Sequence, residues 1–214
     1  MQVKEVNVEM IDRYYYEKKL WNEGYNRVMG LDEVGRGCLC GPVVAAGVIL
    51  KPESRLHSAI RDSKTLSLSL RKKLADEIKS TALFYAINEC TPAEIDTLNI
   101  LNASIEAMLR CAESKGANPD FLLVDGNRFT NTIVPHQCIV KGDNKSVSIA
   151  AASILAKVHR DEFMVKIHEE YPQYGWNKNV GYPTKKHFEG LERFGYTEHH
   201  RKSFKLRTDK ENSK

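Results

Sequence analysis

The chain has 214 residues, 42% of them hydrophobic and 28% charged, with a formal net charge of +4. That length suits one domain with a sizeable core, and the composition is that of a soluble globular protein, not of a disordered or fibrous one. The longest apolar run, PVVAAGVIL at 42–50, is far too short to span a bilayer, and the mild basicity suits a polyanionic partner without demanding one.

Residues 1–27 are charged and aromatic and read as an N-terminal extension with a helical segment. RVMGLDE (27–33) is a short apolar strand that ends in acid. PVVAAGVIL is a second strand, apolar on both faces and therefore central in a sheet. Ser and Thr turn residues in 61–80 lead into a helix from about Ser67, and ALFYAINEC (82–90) is a third strand. The stretch 91–114 reads as one helix, with Thr91 as N-cap and Pro92 at its first position. FLLVDG (121–126) is a buried strand running into acid and glycine, and TIVPHQCIV (132–140) is a weaker one. Residues 146–171 form a long helix whose small side chains imply close packing. Strands first, then strands alternating with helices, give an α/β fold: a mixed sheet with helices on its faces. The catalytic unit is expected at 28–205, and 206–214 as a disordered tail.

The five cysteines, Cys38, Cys40, Cys90, Cys111 and Cys138, are odd in number and contain no C-x-x-C pair. They read as small buried thiols in a reducing cytosol. A zinc site at Cys38 and Cys40 lacks the His-rich partner it needs. The first twenty residues hold no signal-peptide core, so the expected location is the cytoplasm.

Three acidic points share one grammar. Asp32 and Glu33 end a strand, Asp125 ends another just before Gly126, and Asp143 precedes the long helix. Taken singly, each is an ordinary turn or cap residue. Taken together, at strand ends beside glycines, they suit a ligand site at one edge of an α/β sheet. Converging carboxylates repel by roughly 4 kcal/mol per pair at about 4 Å and an effective dielectric near 20. A cation must hold them or some must stay protonated. Hard oxygen donors with no His or Cys cluster point to Mg²⁺ or Mn²⁺, and a pair of such ions is a known solution for phosphodiester cleavage. Neighbours in a regular strand face opposite ways, so Asp32 and Glu33 reach one site only if the strand breaks, which Gly35 and Gly37 would allow.

GLDEVGRG, GPVVAAGVIL, DSKTLS, VDGN, KGDNKSVSIAAASILAKVHRD and GYPTKKH, in that order, resemble bacterial ribonuclease HII, the type 2 ribonuclease H, from about residue 28 to HRKSF. The resemblance implies a ribonuclease H-like fold, a five-stranded mixed sheet flanked by helices with a small C-terminal helical part. It implies an endoribonuclease that cuts RNA in RNA–DNA hybrids and nicks 5′ of a single ribonucleotide in duplex DNA, leaving 3′-hydroxyl and 5′-phosphate ends. The family's catalytic and metal-binding acids fall on Asp32, Glu33, Asp125 and Asp143, with two Mn²⁺ or Mg²⁺ ions expected once substrate is bound. Its substrate-binding Gly-Arg-Gly falls on Gly35, Arg36 and Gly37, its Asp-Ser-Lys lysine on Lys64, and its junction-sensing tyrosine on Tyr182. A monomer acting on ribonucleotide-containing duplexes, with no membrane association, is expected. The chain has Cys38, Leu39 and Cys40 where the family's commoner wording is Pro-Leu-Ala, so it departs at Cys38 and Cys40, and the extension up to about Asn26 matches nothing specific.

The bare glycine turn is placed to let backbone amides read a 2′-hydroxyl, and Arg36 to add a contact to phosphate. Lys64, Lys141, Lys145, Lys157 and Lys185 are candidates for a phosphate-facing surface. Asp161 reads as structural, paired with Arg160 or a neighbouring strand. Rival readings are another metal-dependent nuclease on the same fold, a non-catalytic binding module, for which a complete carboxylate set has no use, and an enzyme acting on small phosphate esters.

Overall fold

The computed structural model describes residues 12–52, 54–57, 59–60 and 66–204. Lys64 and the tail at 206–214 lie outside the described residues, as do residues 1–11. Five strands form one sheet in the order β3-β2-β1-β4-β5. They are β1 (Val28–Val34), β2 (Val43–Ile49), β3 (Phe84–Cys90), β4 (Phe121–Asp125) and β5 (His136–Ile139). β1 and β2 run antiparallel, as do β2 and β3, whereas β4 is parallel to β1 and to β5. The mixed five-stranded sheet matches the sequence expectation.

β2 is buried along its whole length, and its alternate side chains enter two cores. Val44, Ala46 and Val48 face α2 (Leu68–Thr81) and the long helix α5 (Val147–Glu170). Val43, Ala45 and Ile49 face α3 (Pro92–Leu98) and α4 (Ile100–Ala112). The run of small residues in α5 does pack closely: a Cβ on Gly30 of β1 would lie 2.3 Å from the Ser148 backbone. Helix α5 therefore crosses β1 almost backbone to backbone at its first turn.

The single helix expected over 91–114 is two. Thr91 caps α3 through a capping box with Glu94, but the chain turns at Asn99, whose φ is +65°. With ψ at +163° this is a strained conformation for any residue but glycine, and the Asn99 side chain caps α4 there by accepting from the amides of Leu101 and Asn102. The weak strand expected over 132–140 shortens to four residues at the sheet edge, starting just after Pro135, which lacks a ladder donor.

The described part of the N-terminal segment is not a loose appendage. Helix α1 (Tyr15–Asn22) buries Leu20 against Val28, Leu123 and Ile149. Beyond α5, a 3-10 turn at Pro172–Tyr174, α6 (Trp176–Asn179) and α7 (Lys185–Phe194) form the small C-terminal part. It is built around Tyr174 and Trp176, whose rings stack at 4.7 Å between centroids, and it closes over Leu39, Cys40 and Met164.

Candidate active site

The parallel ladder between β1 and β4 ends at Leu31 and Val124. Asp32 and Asp125 are the next residue on each strand, so both carboxylates emerge where two parallel strands part, the usual ligand position in such sheets. Asp125 still pairs with Ile139 of β5, and the chain turns at once through Lys141 (φ +56°) into a 3-10 turn at Gly142–Asn144 that carries Asp143. The same turn reaches back: Gly142 N donates to Asp125 Oδ1 at 2.6 Å. All four predicted acids thus line one cleft of about 910 Å³, together with Ser153 of α5 and Tyr182.

Glu33 arrives there by a route the sequence reading did not foresee. The strand does not break; β1 stays in register with β2 through Val34. Asp32 turns to the α5 face, where Ser153 bonds its carboxyl, and Glu33 lies on the other face. Because β4 has already left, Glu33 still borders the main cleft, and it also lines a smaller one with Asp125, Arg36 and Arg128. The two carboxylates straddle the end of the sheet.

Burial pushes the Asp32 carboxyl well above the usual carboxylate range, and the Glu33 and Asp125 carboxylates push it further. Burial also raises Glu33, against the pull of Arg36, whose Nη1 donates to Glu33 Oε1 at 3.0 Å. Arg36 therefore faces a site acid, whereas the sequence reading aimed it at phosphate. Among the described residues no three carboxylate, imidazole or thiol groups form a ready-made cation shell: Glu33 is held by Arg36 and Asp125 by the Gly142 amide. The donor chemistry nonetheless fits a hard divalent cation. The donors are carboxylates, and the buried acid at their centre is pushed toward its neutral form by burial and by two neighbouring carboxylates.

A folded-state pKa raised above its unfolded value means that ionisation costs stability, increasingly as pH rises from about 4 through the folded value. In EDTA at pH 8, Asp32→Asn should therefore melt above the parent. The gap should narrow toward pH 5, and Mn²⁺ should stabilise the parent more than the variant. Thermal melts at both pH values check this, and a variant that melts lower at pH 8 would deny the repulsion.

Gly37 lies beside Tyr182, whereas Gly35, which the sequence reading gave to the substrate-facing turn, is bare for another reason. Its φ is +96°, and a Cβ there would lie 2.2 Å from Nε of Arg160. The absent side chain makes room for a buried guanidinium. Arg160 is fully buried and donates to the carbonyls of Pro42, Cys40 and Val180. Arg201, also buried, donates to the carbonyls of Gly41 and Arg36, and burial pulls its pKa down to about 10. Leu39 N donates to Gly181 O. These bonds knit two motifs about 140 residues apart in sequence into one wall of the cleft. Gly37 does present bare backbone to the tyrosine: a Cβ there would stand 3.6 Å from Tyr182 Cε1.

Arg160 is thus not the partner of Asp161. Asp161 accepts from Lys157 at 2.6 Å and from Arg71 of α2 at 3.4 Å. Of the proposed lysines that the structure describes, only Lys157 lines the main cleft, while Lys72 and Lys178, which the sequence reading did not select, line it too. Cys40 is brought beside His200. However, both His200 ring nitrogens are engaged, by His187 and by Thr197, and burial pushes the Cys40 thiol far above its usual range. These are packing thiols, and all five cysteines are free.

The family described as Ribonuclease HII matches residues 29–207. The ribonuclease HII of Salinibacter ruber is 52% identical over 198 residues, 91% of this chain and 98% of that protein. That of Christiangramia forsetii is 54% identical over 183 residues, covering 85% and 92%. A crystal structure of ribonuclease H2 from Pyrococcus horikoshii superposes with a TM-score of 0.71 at 26% identity, covering 83% of this chain and 93% of that one.

Proposed function

Since the chain belongs to the ribonuclease HII family and is an endoribonuclease of the type 2 ribonuclease H class, we propose that it nicks duplex DNA 5′ of a single embedded ribonucleotide, as well as cutting RNA in hybrids. The water oxygen bonds to phosphorus as the bond to the 3′-oxygen of the preceding nucleotide breaks, leaving a 3′-hydroxyl and a 5′-phosphate. Such an activity would open ribonucleotide excision repair.

Asp32, Glu33, Asp125 and Asp143 would hold two divalent ions, Mg²⁺ or Mn²⁺, once substrate is bound. When bound, such ions acidify water and offset charge on the leaving oxygen. Arg36 sits where it can pass from Glu33 to a phosphate. The Gly37 backbone and the Tyr182 ring would read the ribose and the step to deoxyribose behind it. Lys64 is retained as a phosphate contact on the resemblance alone. The observation that carries the reading is that Tyr182, which lines the cleft of the four acids, has the bare backbone of Gly37 against its ring. Among the described residues no helix is long and apolar enough to cross a membrane. We place the enzyme in the cytoplasm, a reading supported by its five unpaired thiols, and take it to act as a monomer.

The test is cleavage of three labelled duplexes: one ribonucleotide in DNA, a run of ribonucleotides, and DNA alone. The first should be cut at one phosphodiester and the third left intact. Activity should require a divalent ion and rise between about pH 5 and 8, as carboxylates and water lose protons. Cleavage confined to the run would favour a type 1 specificity, and cleavage in excess EDTA would defeat the metal mechanism.

A further inference from the structure

The loop that carries Asp143 is gripped from behind by the N-terminal segment. Glu17 of α1 is 1% exposed. Its Oε1 accepts from the hydroxyls of Ser146 and Ser148 and from the Ser148 amide, the last two at 2.6 and 3.0 Å. A carboxylate at the first turn of a long helix also meets the positive end of its dipole. Arg13 completes the grip. Its Nη2 donates to the backbone carbonyl of Asp143 and its Nη1 to that of Ile60, both at 2.8 Å. Its own carbonyl accepts from Val147 N at 2.9 Å.

The same short stretch is fixed from the front by the Gly142 amide on Asp125. From the side it is fixed by Gly30 of β1, which leaves no room for a Cβ under Ser148. Asp143 thus sits on backbone anchored at three sides, and two of the anchors, Asp125 and β1, belong to the acid set itself. The third belongs to a segment with no residue in the cleft.

We propose that α1 and the residues just before it are a positioning element of the metal centre, in which Glu17 and Arg13 hold the loop of Asp143 where its carboxylate can ligate; this rests on the reading of Asp143 as a ligand. Neither residue touches a reacting atom. Each acts on backbone whose displacement moves a carboxylate on its far side. Partners that orient a ligand typically change metal affinity by about 10–100-fold when removed.

The experiment is a calorimetric Mn²⁺ titration of the full chain, paired with the Mn²⁺ concentration giving half-maximal cleavage and with a thermal melt. Glu17→Ala should raise the Kd for Mn²⁺ by about 10-fold and shift the cleavage midpoint by the same factor. Cleavage at saturating Mn²⁺ should return to within a few-fold of the parent. Glu17→Gln, which keeps the acceptor oxygen, should recover most of the affinity. Ile95→Ala, a core change in α3, serves as the destabilised control and should keep the parent Kd. A Glu17→Ala protein that melts lower yet binds Mn²⁺ like the parent would reduce α1 to a fold stabiliser. Should Glu17→Ala fail to fold, Arg13→Lys, which cannot span Asp143 O and Ile60 O, takes its place, and an unchanged Kd there overturns the proposal. Asp143→Asn separates the two levels: if it binds Mn²⁺ like the parent, the ligand assignment fails, whereas its loss beside an intact Glu17→Ala affinity refutes only the role of α1.

Discussion

Asp143→Asn should lose at least about 100-fold in metal-dependent cleavage while binding RNA–DNA hybrid within a few-fold of the parent. The floor comes from outer-shell partners, whose loss already costs up to about 100-fold; a direct ligand should cost more. The substitution is nearly isosteric. Asp143 is 8% exposed and its oxygen accepts from Asn144 at 3.1 Å, a bond an amide oxygen can keep. Its backbone carbonyl stays on Arg13. The fold therefore persists, and what is lost is one negative charge. Affinity for the duplex depends on cations facing phosphate, so removing an anion cannot weaken it by charge. The loss should fall on kcat rather than KM, and higher Mn²⁺ should restore part of it, since a site short of one ligand still binds metal at greater concentration. Single-turnover cleavage across a Mn²⁺ titration, with hybrid binding measured in EDTA, checks all three points. Turnover within a few-fold of the parent would remove Asp143 from the site.

The acids were legible in the sequence because their signal is local: Asp32, Glu33 and Asp125 close apolar strands, and Asp143 stands beside a glycine just before the long helix. Such positions need no knowledge of which strands pair to suggest a common edge. How Glu33 reaches that edge was not legible, because it depends on where the β1–β4 ladder stops, and ladder length belongs to the partner strand. The split at Asn99 had a signal, an Asn inside a helical pattern, but the same residue is compatible with an unbroken helix until its φ is known. Arg160 had none. In AKVHRD it reads as a surface helix residue, and only the folded chain reveals that Gly35 and the carbonyls of Pro42, Cys40 and Val180 make its berth. The same holds for Ser153 on Asp32 and for Glu17: a side chain that serves a site from another element leaves no periodicity or spacing to detect. The sequence shows what carries the chemistry far better than what holds it in place.

Tyr182→Ala should cut the rate at a lone ribonucleotide by about 10–100-fold, the equivalent of the roughly 1–3 kcal/mol that one stacked base contributes. The ring is 44% exposed in the cleft, so its removal leaves no core cavity. Its backbone is fixed independently of the ring. The Tyr182 amide donates to Asn179 O, and Tyr182 O accepts from Thr184 N and from His187 Nδ1 at 3.0 Å. The His187 tautomer follows from its other nitrogen, which accepts from Trp176 Nε1. Burial holds His187 below its ordinary value and, with neighbouring His187 and His199, brings His200 behind it down to about 4. Both imidazoles are neutral at pH 7, and there the turn keeps its shape. A loss of activity then reports the ring and not the turn. Hybrids with long ribonucleotide runs should lose less, because they present no single step from ribose to deoxyribose. The salt dependence of binding should keep its slope, since no phosphate-neutralising cation is removed. Tyr182→Phe divides the remaining possibilities: near-parent activity assigns the effect to stacking, and a loss close to that of alanine assigns it to the hydroxyl. If Tyr182→Ala cuts the single-ribonucleotide duplex as fast as the parent, the junction is sensed elsewhere in the cleft and Tyr182 is only part of its wall.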